Sequence, residues 1–164
     1  SITPSHVRGL LPSDVIDLCF IQGRLRQGLP TSPVISNIAF CAFDKAIVNA
    51  LRALGIDATY TRYADDLVFG YSDALAGGKI AVVVRQILEG GGFTINESKT
   101  RLQSTQAGRL IVAGVAFDDK GIHPTRRTRR KLRAALHLGN ASSARGLMEW
   151  AQCKLPTALV AADR

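Results

Sequence analysis

The chain has 164 residues, 46% of them apolar, which suits one ordinary globular domain or a compact domain with a small appendage. Its formal charge of +8 is uneven, because residues 1–118 hold 11 Lys and Arg against 10 Asp and Glu whereas residues 119–164 hold 10 against 3, so the tail reads as a polyanion surface or, failing that, a solvated basic helix. Charge breaks every apolar run before the roughly 20 residues of a membrane helix, the start Ser1-Ile2-Thr3-Pro4 lacks the pattern of a signal peptide, and Cys19, Cys41 and Cys153 lack Cys-x-x-Cys spacing, which argues against zinc or a disulfide framework and predicts three buried thiols in a reducing compartment.

Residues 5–22 are expected to contain a short helix, with Ser13 as N-cap before Val15, Leu18 and Cys19 and Gly23 as its stop. Gln27-Gly28-Leu29-Pro30-Thr31-Ser32-Pro33 forms a loop. Ser32 as N-cap and Pro33 as first helical residue then open a long helix through Val34, Ile38, Phe43, Ile47 and Leu51, ended at Leu54 by Gly55. From Ala58 to Tyr71 two β-rich runs flank Ala64-Asp65-Asp66, the pattern of a tight hairpin with carboxylates at its tip. A helix over 79–89 ends at Gly90-Gly91-Gly92, and Phe93-Thr94-Ile95 reads as a strand leading to Lys99. Residues 109–117 read as one further strand, turning at 118–121 into Ile122-His123. Pro124 and Thr125 open a basic helix over 126–137, and a weaker helical stretch runs over 144–153 with Pro156 near a frayed end. The order predicts an α+β fold, an antiparallel layer over 1–118 followed by a small helical, basic portion over 119–164.

Two adjacent carboxylates at a hairpin tip repel each other, and a protein that fixes them there normally balances them with a hard cation such as magnesium. Asp-Asp in a turn is also common as a plain solvated turn. The surroundings raise the specificity: Tyr63-Ala64-Asp65-Asp66 follows Gln27-Gly28-x-x-x-Ser32-Pro33 by 36 residues, with one long helix between.

This pair of motifs, in this order, resembles two successive core motifs of reverse transcriptases. Residues 27–37 are similar to the loop of bacterial retron-type enzymes rather than group II intron maturases, 93–101 to the following motif with its lysine, Val112-Ala113-Gly114-Val115 to the primer grip, and 129–137 to the start of the thumb. The resemblance implies the second half of a polymerase palm followed by a basic thumb, and an RNA-directed DNA polymerase that joins dNTPs to a primer by two-metal chemistry. Its cofactor would be Mg²⁺, two ions in the complete enzyme, with Asp65 the better ligand and Asp66 close to the metals in a less defined role. Tyr63 and Ala64 would support the primer end, though Tyr63 reads equally well as a plain strand aromatic. Gln27, Gly28 and Ser32 would meet template and nucleotide: Gly28 by close backbone approach, Gln27 by hydrogen bonding, Ser32 by lying where a helix N-terminus favours an anion. Lys99 would donate a proton to pyrophosphate or hold negative charge, with a surface lysine as the competing reading. Arg126, Arg127, Arg129, Arg130, Lys131 and Arg133 wrap around the helix, so only part of that set can face one duplex, and Gly114 with Arg126, Arg129, Arg130 and Arg133 would contact it.

One departure from the family pattern has consequences. Its other catalytic aspartate precedes the Gln-Gly loop by a long segment; Asp14 and Asp17 superficially resemble it, but nine residues between Asp17 and Gln27 leave no room for the intervening helices. The fingers and the first metal-binding aspartate are therefore expected to be missing, and the chain alone is expected not to polymerise. The implied partners are an RNA template with nascent DNA, dNTPs, the missing N-terminal fingers and palm half, a structured non-coding RNA and an effector protein, in the bacterial cytoplasm and without a membrane, in a retron-like or phage-defence setting. The competing function is a non-catalytic nucleic-acid-binding or scaffolding module; a nuclease is more distant, since no histidine or further acid lies near the pair in sequence.

Overall fold

In the first hundred residues, local chemistry sets each element and one helix ties them together. The structure is a computed structural model and describes residues 1–152; Cys153 and Pro156, and so the expected end of the last helix, lie outside that range. Two compact units divide between Thr100 and Arg101. The expected division at 118/119 falls instead inside the turn of a β-hairpin of the second unit.

In the first unit, helix α1 (Ser13–Cys19) takes Ser13 as its first residue, with Pro12 at the cap. It ends before Gly23, because Phe20 turns extended and starts a small antiparallel pair, β1 (Phe20–Ile21) with β2 (Arg24–Leu25). Gln22 and Gly23 form the turn at φ +51° and +72°, so Gly23 serves a hairpin and not a helix stop. Helix α2 (Ser32–Ala53) starts one residue earlier than expected, with Thr31 at the cap and Pro33 in its first turn, and Gly55 follows its end at φ +64°.

Helix α2 has the length and mean apolarity of a membrane-crossing helix, contrary to the expectation that no segment approaches this. Its apolar face is used inside the unit. The first half buries Ile35 and Ala39 with Val7, Cys19 and Phe20; the second buries Phe40, Ile47 and Leu51 against helix α3 (Ala76–Gly90). Helix α3 answers at four-residue spacing with Ala76, Ile80, Val84 and Leu88. Each buried Ile or Leu contributes about 1.5–3 kcal/mol. Val34, expected on the core stripe, is 59% exposed.

Between the helices, β3 (Ala58–Tyr63) and β4 (Asp66–Tyr71) pair antiparallel from Ala58↔Tyr71 to Tyr63↔Asp66. Period-two alternation turns Ala58, Tyr60 and Arg62 toward partial burial and leaves Thr59, Thr61 and Tyr63 exposed. Residues 93–95 are not a strand. The Phe93 amide closes the end of α3 by donating to the Leu88 carbonyl at 2.9 Å, and its ring packs within 4.8–5.2 Å of His6, Phe40 and Phe43. Cys19 is buried as expected; Cys41 is exposed, because it lies on the side of α2 away from the core.

In the second unit, β5 (Leu110–Val112), β6 (Val115–Asp118) and β7 (Gly121–Pro124) form one antiparallel sheet. The single strand expected over 109–117 is broken by a two-residue turn, Ala113 at φ +47° and Gly114 at +80°. Helix α4 (Arg126–His137) is capped by Thr125, whose hydroxyl accepts from the Thr128 amide at 3.2 Å. Helix α5 (Ala141–Ala151) starts three residues earlier than expected, because Asn140 caps it through the Ser143 amide at 3.1 Å. Among the described residues of this unit, the buried ones are small: Ala116, Ala135 and Ala144. Helices with antiparallel sheets make the fold α+β, as expected.

Candidate active site

The β3–β4 turn consists of Ala64 and Asp65, with Asp66 the first residue of β4. Ala64 sits at φ +53°, a conformation that costs an L-residue roughly 1–2 kcal/mol relative to glycine. Both aspartates are exposed, and among the described residues neither carboxylate is engaged by a hydrogen bond or ion pair. Their oxygens are free to meet a ligand.

The turn is held from one side by Arg62. Its Nη2 meets Asp44 Oδ2 at 2.8 Å and its Nε meets Oδ1 at 3.0 Å, the forked geometry of a strong guanidinium–carboxylate pair. The remaining Nη1 donates to the Ala64 carbonyl at 3.1 Å and to Asn37 Oδ1 at 3.0 Å, while the guanidinium lies 4.8 Å from the Phe40 ring centre. Tyr60 donates to the same Asp44 at 2.7 Å. Only 10% of the Arg62 side chain is exposed, so the pair is largely shielded from water. Burial works against the Asp44 charge, but hydrogen bonds from Arg62 and Tyr60 outweigh it and hold the carboxyl below its usual range. The Asp44 hydrogen bond pushes Arg62 further up, and burial together with that carboxylate pushes the Tyr60 hydroxyl well above its ordinary value.

Asn37 stands on the second turn of α2, which begins at Ser32, so the Arg62 link joins the hairpin tip to the helix that follows the Gln-Gly loop. Gly28 adopts φ +86°, a left-handed conformation that favours glycine, with nothing within 4 Å of where a Cβ would stand. Gln27 is exposed. Ser32 does not cap its helix; its hydroxyl donates to the Arg26 carbonyl at 2.5 Å and closes the loop. The Thr31 side chain makes no cap hydrogen bond. Tyr63, 75% exposed on the outer face of β3, stands beside the tip. Lys99 is exposed, and among the described residues no hydrogen bond or ion pair joins its side chain to the tip.

Hard cations such as magnesium take oxygen ligands, the atom type that the exposed Asp65 and Asp66 carboxylates present. Among the described residues no group of three or more His, Cys, Asp or Glu side chains comes together.

The second unit presents Gly114 in the β5–β6 turn and an open concavity of about 540 Å³ lined by Arg126, Arg129, Arg130, Leu132 and Arg133. The i, i+3, i+4, i+7 spacing places those four arginines on one face of α4. Asp118, at the end of β6, receives His123 Nε2 at 2.7 Å and Arg109 Nε at 2.8 Å. The His123 hydrogen bond first, then that of Arg109, holds its carboxyl well below the usual range.

Asp44, Asn37, Tyr60 and Arg62 were not singled out from sequence. One signal was present: an arginine at the inward position of an alternating strand needs an acid on the helix it faces.

Residues 14–131 match the family model described as reverse transcriptase (RNA-dependent DNA polymerase). The retron Mx65 reverse transcriptase of Myxococcus xanthus is 36% identical over 68% of this chain and 25% of its own length. The retron Mx162 reverse transcriptase of the same organism is 34% identical over 69% of this chain and 26% of its own. For the retron Ec73 reverse transcriptase of Escherichia coli the figures are 33%, 60% and 32%. The chain thus spans between a quarter and a third of the length of these curated relatives. With the family match covering the Gln-Gly loop, the Asp65–Asp66 hairpin and the first half of α4, the chain belongs to the reverse transcriptase (RNA-dependent DNA polymerase) family.

Proposed function

We propose that these residues form the second half of the catalytic core of a retron-type RNA-directed DNA polymerase. The observation that carries the reading is the exposed Asp65–Asp66 pair on a two-residue turn, tied through Arg62 to the helix after the Gln27–Pro33 loop. In the reaction the primer 3′-oxygen bonds to the α-phosphorus of a dNTP, and the bond from that phosphorus to the departing pyrophosphate breaks. Mg²⁺, two ions in the complete enzyme, would activate the hydroxyl and neutralise charge on the triphosphate. Asp65 would be a ligand, Asp66 would lie near the metals and primer end, and Tyr63 with Ala64 would support the primer terminus. Gln27, Gly28 and Ser32 would contact template and nucleotide, and Lys99 would meet the pyrophosphate.

Two carboxylates leave the coordination set incomplete, and the reading assigns the remaining acid to a fingers and palm portion outside these 164 residues. In the second unit Gly114 would contact the primer, while Arg126, Arg129, Arg130 and Arg133 would hold duplex phosphates, with no sequence preference. A structured non-coding RNA as template and an effector protein as partner, in the bacterial cytoplasm, complete the reading, and phage defence would be its setting. Supplementing this chain with the N-terminal half should restore primer extension that the chain alone lacks. Extension by the 164 residues alone would overturn the split assignment, and no synthesis in either mixture would favour a non-catalytic nucleic-acid-binding or scaffolding module.

A further inference from the structure

Beyond the aspartates themselves, the geometry points to Arg62 as a positioning residue that aims the Asp65–Asp66 tip by fixing its strained turn to helix α2; this rests on the proposed polymerase reading. Three observations converge. Ala64 holds a left-handed conformation without the glycine that would adopt it freely. Its carbonyl, the group whose direction defines the turn, receives Arg62 Nη1 at 3.1 Å. Arg62 is in turn held by the Asp44 fork, by Asn37, and by the Phe40 ring against its guanidinium.

A strained turn persists only where its surroundings over-determine it. Asp44 and Asn37 both belong to α2, so the arginine carries the orientation of that helix to the turn. The consequence is that the backbone of the turn from which the carboxylates project is coupled to the helix that follows the Gln-Gly loop. Lysine cannot replace this function: one ammonium on a flexible stem can pair with Asp44, but it cannot fork the carboxylate and also reach Ala64 and Asn37 in a fixed plane.

The test uses the full-length polypeptide that carries these residues, in steady-state primer extension on a primed RNA, with magnesium varied. Arg62→Lys should lower kcat about 10- to 100-fold, the range that small misplacement of reacting groups produces. It should also raise the magnesium concentration for half-maximal rate severalfold, while KM for primer-template stays within about twofold. Asn37→Ala, which removes one exposed acceptor and threatens the fold least, should move both quantities in the same direction by a smaller factor. Arg85→Lys, at the exposed Arg85–Glu97 pair of the same unit, serves as control and should change neither.

Unchanged kcat and magnesium dependence in Arg62→Lys, with Asp65→Asn inactive, would overturn the positioning role and leave the polymerase reading standing. Loss of kcat matched by loss of folded protein, with Asn37→Ala silent, would also overturn it. Should the wild type make no DNA, the polymerase reading falls, and amide hydrogen exchange at residues 64–66 decides the positioning role: faster exchange in Arg62→Lys supports it, equal exchange overturns it.

Discussion

Substituting Gly91 by alanine tests the packing beneath the site. A Cβ built there would stand 2.1 Å from Phe43 Cε1 and 2.4 Å from Cζ, far inside van der Waals contact. The φ of −91° suits alanine, so the backbone raises no objection. Phe43 has little freedom to retreat, because its ring centre lies 5.4 Å from Phe40 and 5.2 Å from Phe93. Overpacking of this kind costs about 1–3 kcal/mol. With the ring hemmed in, the cost lies in the upper part of that range, about 2–3 kcal/mol, and the lower chain entropy of unfolded alanine offsets about 0.4–1 kcal/mol, so the net loss is about 1–2.6 kcal/mol. For a unit of about 100 residues that lowers Tm by roughly 4–21 °C. Thermal unfolding by circular dichroism reads this directly. Phe43→Leu in the same background removes the two clashing ring atoms, and the double-mutant cycle should show about 1 kcal/mol of favourable coupling. An unchanged or raised Tm for Gly91→Ala, or strict additivity with Phe43→Leu, would refute the packing described.

The other predictions bear on the tip, on acid stability and on the basic helix. Ala64→Gly removes the Cβ from a left-handed residue and should stabilise the fold by up to about 1 kcal/mol; a lowered urea midpoint would contradict the φ of +53°. Asp118 has a folded value below the unfolded value of about 3.9, so its contribution is complete above that range and lost as pH falls through the folded value. Asp118→Asn should accordingly flatten the acid limb of the stability profile below about pH 4, and an unchanged limb would count against the His123 and Arg109 contacts. Arg129→Ala and Arg133→Ala should each reduce by about 1 the slope of log K against log salt for duplex binding by the full-length protein, equally for all sequences. A slope equal to wild type would remove α4 from the phosphate contacts.

What the sequence made legible was what nearest neighbours decide. The β3–β4 hairpin and the start of α4 follow from alternation and a threonine cap, and Pro33 with Gly55 located α2 to within a residue at each end. Where a two-residue turn lay inside an apolar run with no charged residue to mark it, as at Ala113-Gly114, the reading failed. Ala113 at positive φ looks like any strand alanine, and the 109–117 run was taken as continuous. Phe93-Thr94-Ile95 has strand residues but finds ring partners instead of a strand edge. Within the site, the carboxylates and the Gln-Gly loop were visible as motifs. Their support was not, because Arg62 and Asp44 lie 18 residues apart and meet only through the placement of β3 against α2. The apolar length of α2 is likewise interpretable only once Asp44, on the same face as the buried Phe40, Ile47 and Leu51, is seen paired with Arg62 inside the unit.

The central claim is that Asp65 and Asp66 carry DNA synthesis, and primer extension on a primed RNA template with magnesium and dNTPs tests it most directly. Wild-type full-length protein is compared with Asp65→Asn, which keeps size and loses charge at an exposed position where folding is least at risk. The account predicts extension by the wild type and none by the variant, with both binding primer-template equally. Synthesis by Asp65→Asn at the wild-type rate would contradict it.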